Sequence, residues 1–169
     1  MPIHRLNHAV LYVRDVGRSV AFYGDVLGFT TVMGFPGAAF LRAPGSTNDH
    51  DLGLFEIGAA AGAPTAGRTT VGLYHLAWEV DTLAELGRVR DALVTADALV
   101  GSSDHGTTKS LYAKDPDGLE FEVVWLIPAN LLDGSALESR TRIGRLDLDA
   151  EIAKYGPDTK GGVGISVPA

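Results

Sequence analysis

With 169 residues, 46% of them hydrophobic and 21% charged, the chain suits one compact domain or two small fused units rather than a disordered tail. It contains no cysteine, which excludes disulfides, zinc fingers and thiolate clusters and fits a reducing cytoplasm. The net charge of -7, with Lys and Arg scattered, argues against a nucleic-acid partner and favours a small neutral or aromatic ligand.

The opening stretch, MPIHRLNHAV, carries no long apolar run, so no signal peptide is expected. No stretch approaches the roughly 20 apolar residues of a membrane helix, so no membrane association is expected either. Residues 6–13, LNHAVLYV, read as a strand. Ala9, Leu11 and Val13 form one face, and His8 lies on the other with Leu6, Val10 and Tyr12. A helix should follow, with Val20, Phe22, Tyr23 and Leu27 near helical spacing and Gly28 as its stop. Three strand-like runs come next, around TTVMGF, AAFLRA and HDLGLFEI. Residues 59–70 are rich in Gly, Ala, Pro and Thr and read as a linker between a first module, 1–58, and a second, 71–128.

The same order then returns. GLYHLAWEV is a strand whose apolar set is Tyr74, Leu76, Trp78 and Val80, expected to face a packed layer, with His75 on the opposite side. An amphipathic helix over DTLAELGRVRDALVTAD precedes strands near ALVGSS, KSLYAKD and LEFEVVWL. Each module is thus strand, helix, three strands. The two strand histidines are separated by 67 residues, a duplicated module rather than a solenoid. One helix per several strands argues an α+β fold rather than a doubly wound sheet. Residues 129–169 form a C-terminal extension with one helical pattern, Leu146 to Tyr155, expected to pack on the core or on a neighbouring subunit.

In the last strand, Leu119, Phe121, Val123, Trp125 and Ile127 alternate as an apolar face, with Glu120 and Glu122 on the other. His8, His75 and Glu122 therefore share an orientation away from the helix-covered face. If the strands curl into one trough, two imidazoles and a carboxylate meet there and make a divalent-metal site. Taken singly, a strand histidine is usually hydrogen-bonded and a strand-end Glu is usually solvated. The joint pattern, recurring in the same phase in both modules, carries the metal reading. His4 shares the face of His8 and rivals it as a ligand; His8 matches His75 in register with the apolar face. Phe35, Phe40 and Trp125 suit an aromatic pocket and plain core packing equally well.

FYGDVLGF at residues 22–29 and DPDGLEFEV at 115–123 resemble the module-one and final-strand signatures of the vicinal oxygen chelate superfamily, which covers glyoxalase I, bleomycin-resistance proteins and type I extradiol dioxygenases. The resemblance covers about residues 3–128. It implies two βαβββ modules forming an incomplete barrel around one metal. In the final-strand signature the ligand Glu falls four residues after the Gly, which selects Glu122 over Glu120. NDHDLGLFE and SDHGTTKSLYAKDPDG resemble the catechol 2,3-dioxygenase branch. That resemblance implies His50 as an acid/base and His105 and Tyr112 as residues flanking the bound catecholate. By themselves, His50 and His105 read as loop and turn residues and Tyr112 as core packing.

The implied activity is Fe(II)-dependent extradiol cleavage of a catechol-type aromatic with O2, with Mn(II) or another divalent metal as the alternative cofactor. A cytoplasmic homo-oligomer is expected, and two modules build the site within one chain or by swapping in a dimer. Two other functions compete. A glyoxalase-like isomerase or lyase would use a fourth ligand from module one; Glu56, 48 residues after His8 where Glu122 lies 47 after His75, is the candidate. A bleomycin-resistance-type binding protein would generally lack the metal triad.

Overall fold

The computed structural model describes residues 2–3, 5–65, 67 and 69–162. The fold is α+β. The first repeat runs β1 (Ala9–Val13), α1 (Val16–Leu27), β2 (Thr30–Phe35), β3 (Ala38–Arg42) and β4 (Leu52–Glu56). The second runs β5 (Leu76–Glu79), α2 (Leu83–Thr95), β6 (Leu99–Asp104), β7 (Thr108–Lys114) and β8 (Glu120–Leu126). Each set of four strands forms one open sheet, ordered β1-β4-β3-β2 and β5-β8-β7-β6. In both sheets the first strand lies parallel to the last and the other neighbours are antiparallel. A parallel pair needs a long crossover, which each module supplies with its helix and two intervening strands.

The chain divides into two compact units, residues 1–65 with 115–118, and residues 66–114 with 119–169. In the first, Asp15 caps α1 by accepting the Arg18 N–H at 2.8 Å, and Gly28 ends it in the left-handed conformation, φ 73°. Leu11 and Val13 of β1 are buried, while Val10 and Tyr12 on the other face are exposed. The helix buries Ser19, Tyr23, Val26 and Leu27, so Tyr23 and Leu27 face inward as expected, while Val20 and Phe22 are only half-buried. The turn at 115–118 belongs to this unit, and two signature segments meet in it. Tyr23 donates its hydroxyl to Asp115 at 3.2 Å. Burial, with Asp115 beside it, pushes the Tyr23 phenol well above its ordinary range. Asp117 accepts the Arg14 backbone N–H at 3.0 Å and pairs with the Arg14 and Arg18 guanidiniums at 2.8 and 2.7 Å. Gly118, at φ 87°, closes the turn where a Cβ would strain. The two aspartates of DPDG are thus anchors.

In the second unit, Thr82 caps α2 by accepting the Glu85 N–H at 3.1 Å. Leu83, Leu86, Val89 and Leu93 then line one helical stripe and are buried. They meet the face of β8 that carries Phe121, Val123, Trp125 and, just beyond the strand, Ile127, all essentially inaccessible. Full burial of each such side chain contributes about 1.5–3 kcal/mol. Tyr74 departs from expectation: it lies ahead of β5 and is exposed, because the regular strand starts only at Leu76.

The C-terminal segment packs on the second unit. A 3-10 turn (Ala129–Leu131) and a short helix, α3 (Gly134–Ser139), precede α4 (Leu148–Tyr155); the sequence pattern had pointed only to α4. The Ala84 N–H donates to Pro157 O at 2.9 Å, and Trp125 donates its indole N–H to Thr159 O at 3.3 Å. The Trp125 and Tyr155 rings lie 5.6 Å apart, so Trp125 is core beneath α4 and not the wall of a pocket. Among the described residues no helix is long and apolar enough to cross a membrane.

Candidate active site

The second unit gathers three of the expected side chains. His75 stands one residue before β5, and Glu122 is on β8, the parallel neighbour of β5. The His75 Nε2 and Glu122 Oε2 atoms are 3.3 Å apart, and both side chains are mostly buried. Tyr112 of β7 lies directly opposite Glu122 in the antiparallel ladder, so both project from the same face. Burial, and then the Glu122 charge, pushes the Tyr112 phenol above its ordinary value, so its hydroxyl keeps its proton at neutral pH. His105, in the turn between β6 and β7, joins this set: its Nε2 and the Tyr112 hydroxyl share a hydrogen bond of 2.8 Å. Tyr74, which sequence reasoning placed in the packed layer, lies against the His75 ring with centroids 4.7 Å apart.

The first unit holds the other two histidines. His8, just ahead of β1, is exposed and shares a 2.8 Å hydrogen bond with the Asn7 side chain. Its ring lies 4.6 Å from that of His50, centroid to centroid. His50 precedes β4 and is held on two sides. Its Nδ1 meets the Asp49 carboxylate at 2.9 Å, and the Phe40 ring stands edge-on to it at 5.0 Å. Asp49 escaped sequence reasoning, although a carboxylate directly preceding the histidine was the available signal. Phe35 is exposed and lies 6.1 Å from Phe40.

Asp51 fixes the loop that carries His50. Its carboxylate accepts the Ala43 N–H at 2.9 Å, the Ser46 hydroxyl at 2.7 Å and the Asn48 amide at 2.7 Å. Burial pushes the Asp51 carboxyl up. The hydrogen bonds from Ser46, Ala43 and Asn48, with His50 nearby, outweigh it and hold the group below its ordinary value.

Ladder register decides whether Glu56 is the counterpart of Glu122. In the second sheet Ala77, two residues after His75, pairs with Glu122. In the first sheet Val10, two residues after His8, pairs with Gly53. Gly53 therefore occupies the position equivalent to Glu122, and Phe40, opposite Gly53, occupies that of Tyr112. Glu56 lies three residues further on, exposed, and its carboxylate accepts the Val16 N–H at 3.0 Å at the start of α1. A carboxylate there satisfies a free helix N–H and complements the helix dipole, which accounts for Glu56 without a metal.

Two ligand atoms about 2.1 Å from one metal stand roughly 3.0 Å apart at a right angle and about 3.4 Å apart at a tetrahedral angle. The 3.3 Å between His75 Nε2 and Glu122 Oε2 fits two adjacent positions of one coordination sphere. The His75 Nδ1 is buried and finds no hydrogen-bond partner among the described residues. Among the described residues no three His, Asp or Glu side chains are gathered into a metal-holding cluster. His8 is described with the first unit, and His4 lies outside the described residues.

Residues 5–123 match the Glyoxalase/Bleomycin resistance protein/Dioxygenase superfamily. The chain belongs to that superfamily. Two curated relatives are similar to it over 118 residues. One, the catechol-2,3-dioxygenase of Bacillus subtilis, is 33% identical over 70% of this chain and 40% of its own length. The other, the biphenyl-2,3-diol 1,2-dioxygenase 3 of Rhodococcus globerulus, is 35% identical over 68% of this chain and 59% of its own. The chain thus matches about half the length of these relatives. Among solved structures, a glyoxylase/bleomycin resistance protein/dioxygenase domain from Frankia sp. EAN1pec superimposes with a TM-score of 0.61 at 23% identity, covering 73% of this chain and 92% of that one. A lactoylglutathione lyase from Agrobacterium tumefaciens does so with 0.55 at 25% identity, over 73% and 95%. Within the superfamily, then, the fold alone does not choose the reaction.

Proposed function

We propose that this superfamily member is an Fe(II)-dependent extradiol dioxygenase that opens a small catechol-type ring with O2. His75 and Glu122 would hold the metal, with His8 as the third ligand expected from the sequence. The observation that carries the reading is the His75–Glu122 pair with the hydrogen-bonded Tyr112 and His105 beside it. A binding protein needs no such set, and an isomerase with a carboxylate from each module is disfavoured by Gly53 at the Glu122-equivalent position. When bound, Fe(II) supplies a template for catechol and O2 and a path for electrons between them.

The chain's own groups do the rest. Tyr112, protonated at neutral pH, donates a hydrogen bond to a catechol oxygen, and His105 orients that hydroxyl through their 2.8 Å contact. His50 is the acid/base. With its Nδ1–H donated to Asp49, its Nε2 lone pair is free to take the proton of the second phenolic oxygen and later return it. Phe40 offers an apolar edge beside that imidazole.

The test is anaerobic reconstitution with Fe(II), followed by a panel of catechols and air. A yellow ring-opened semialdehyde with matching O2 uptake is expected. Full iron loading with no ring-opened product from any catechol overturns the reading, and isomerisation of a hemithioacetal by the same sample replaces it with the glyoxalase-like one. His50→Ala should keep its metal and turn over roughly 10²–10⁴-fold more slowly, the usual contribution of acid/base catalysis.

A further inference from the structure

The turn that carries His105 is held by residues far along the chain. Lys109, second in β7, has only 4% of its side chain accessible. Its Nζ lies 2.6 Å from Asp104 Oδ1 and 3.2 Å from Glu151 Oε2, on α4. The same Asp104 Oδ1 accepts the Gly106 N–H at 2.8 Å. The Asp104 backbone pairs in both directions with Gly144, at 3.0 and 2.8 Å. Gly106, at φ 77°, is covered by the end of α3: a Cβ there would meet Ala136 O at 2.5 Å and Arg140 N at 2.9 Å. His105 thus sits between two residues, Asp104 and Gly106, that are each fastened to the C-terminal segment.

A buried ion pair is a poor device for stability alone, because desolvation of the two charges offsets their attraction. It is a good device for fixing a geometry, since Lys109 bridges two carboxylates and cannot move without unpairing one. We infer that the C-terminal segment, residues 134–151, is a positioning element of the active site, holding the 104–109 turn through Glu151 and Lys109 so that His105 stays on Tyr112. The inference rests on the role proposed for His105 above and adds residues that touch neither substrate nor metal. Glu151 and Lys109 are positioning residues.

The experiment uses the full chain, metal-free, with 15N-labelled histidine. The His105 ring nitrogens are identified by their disappearance in His105→Gln, and their shifts with the Tyr112 bond absent are taken from Tyr112→Phe. In Glu151→Gln the His105 pair should move toward the Tyr112→Phe position, while far-ultraviolet circular dichroism stays native. With iron restored, kcat should fall roughly 10–100-fold, as for outer partners of a site, with KM nearly unchanged. Glu151→Asp, which keeps the charge on a shorter arm, should recover part of both; should Glu151→Gln not fold, Glu151→Asp carries the same reading with a smaller displacement. Unmoved His105 shifts in whichever variant folds overturn the inference. The spectrum decides it without turnover, so a failure of catechol cleavage would sink the dioxygenase reading separately.

Discussion

The two modules share strand order, ladder pattern and a histidine just ahead of the first strand, yet they carry different chemistry at equivalent places. Where β8 has Glu122, β4 has Gly53; where β7 has Tyr112, β3 has Phe40. One sheet presents a carboxylate and a phenol, the other a bare backbone and a benzyl ring. The lesson concerns counting. The spacing from the strand histidine pointed to Glu56 as the partner of Glu122, but the connections inside each module differ in length: residues 43–51 join β3 to β4, whereas 115–119 join β7 to β8. Equivalence is set by which residues face each other across a ladder, and linear spacing tracks that only when the loops match.

The sharpest way to break the comparison is His75→Ala. Under the proposed function, in which His75 and Glu122 hold the metal, this variant should lose Fe(II), by metal analysis of the purified protein, and with it all O2 uptake. Full occupancy would mean that the asymmetry at Glu122 has nothing to do with an ion. Tyr112→Phe comes next, because it gives β7 the ring type that β3 has in Phe40. It should keep metal and structure and lose roughly 10–100-fold in turnover, the cost typical of removing an outer hydrogen-bonding partner. Unaltered turnover would make Tyr112 a packing residue like its counterpart.

Much of this was legible in the sequence because strand alternation is a strong signal. Leu11 and Val13, and Phe121, Val123, Trp125 and Ile127, fall inward as their period of two requires. His75 and Glu122 share a strand phase that the sequence shows, whereas His105 and Tyr112 stood out only through the family resemblance; each pair lies within 3.3 Å. What escaped depends on contacts that no local pattern encodes. Tyr74 looked like a core residue by alternation, but the strand had not yet begun there. Asp115 and Asp117 were a signature without a role until Tyr23, Arg14 and Arg18 were seen on them. The clamp of Lys109 by Glu151 joins residues 42 positions apart, across a segment with only a faint helical period.

The loops that carry His50 and His105 offer a second contrast. Lys109 fastens the His105 turn, whereas the Asp51 carboxylate fastens the His50 loop. Asp51→Asn should cost about 1–2 kcal/mol in denaturant unfolding at pH 7, because hydrogen bonds to a charged acceptor become bonds to a neutral amide. The sign with pH follows from the direction of the shift. A carboxyl held below its ordinary value in the folded state stabilises above the unfolded pKa of about 3.9 and loses that contribution as pH falls through its own lower value. The gap between the natural protein and the variant should therefore narrow below about pH 4. A gap that stays constant down to pH 3 would show that the carboxylate charge is not what holds the loop.

The smallest effect belongs to Gly53 itself. A glycine at the Glu122-equivalent position invites the idea that module one requires bare backbone there. The space says otherwise. A Cβ on Gly53 would sit 3.4 Å from Val10 Cγ2 and 3.5 Å from Phe40 Cε1, ordinary van der Waals contacts, and its φ is not in the left-handed region. Gly53→Ala should then stabilise by roughly 0.4–1 kcal/mol, through reduced freedom of the unfolded chain, with turnover little changed. If instead the variant loses stability, the fit between Val10, Phe40 and the bare backbone is tighter than these distances allow. If it keeps its stability but loses turnover, the surface beside Phe40 and His50 is where substrate lies, and the asymmetry between the two sheets is one of binding in the first against the metal site proposed for the second.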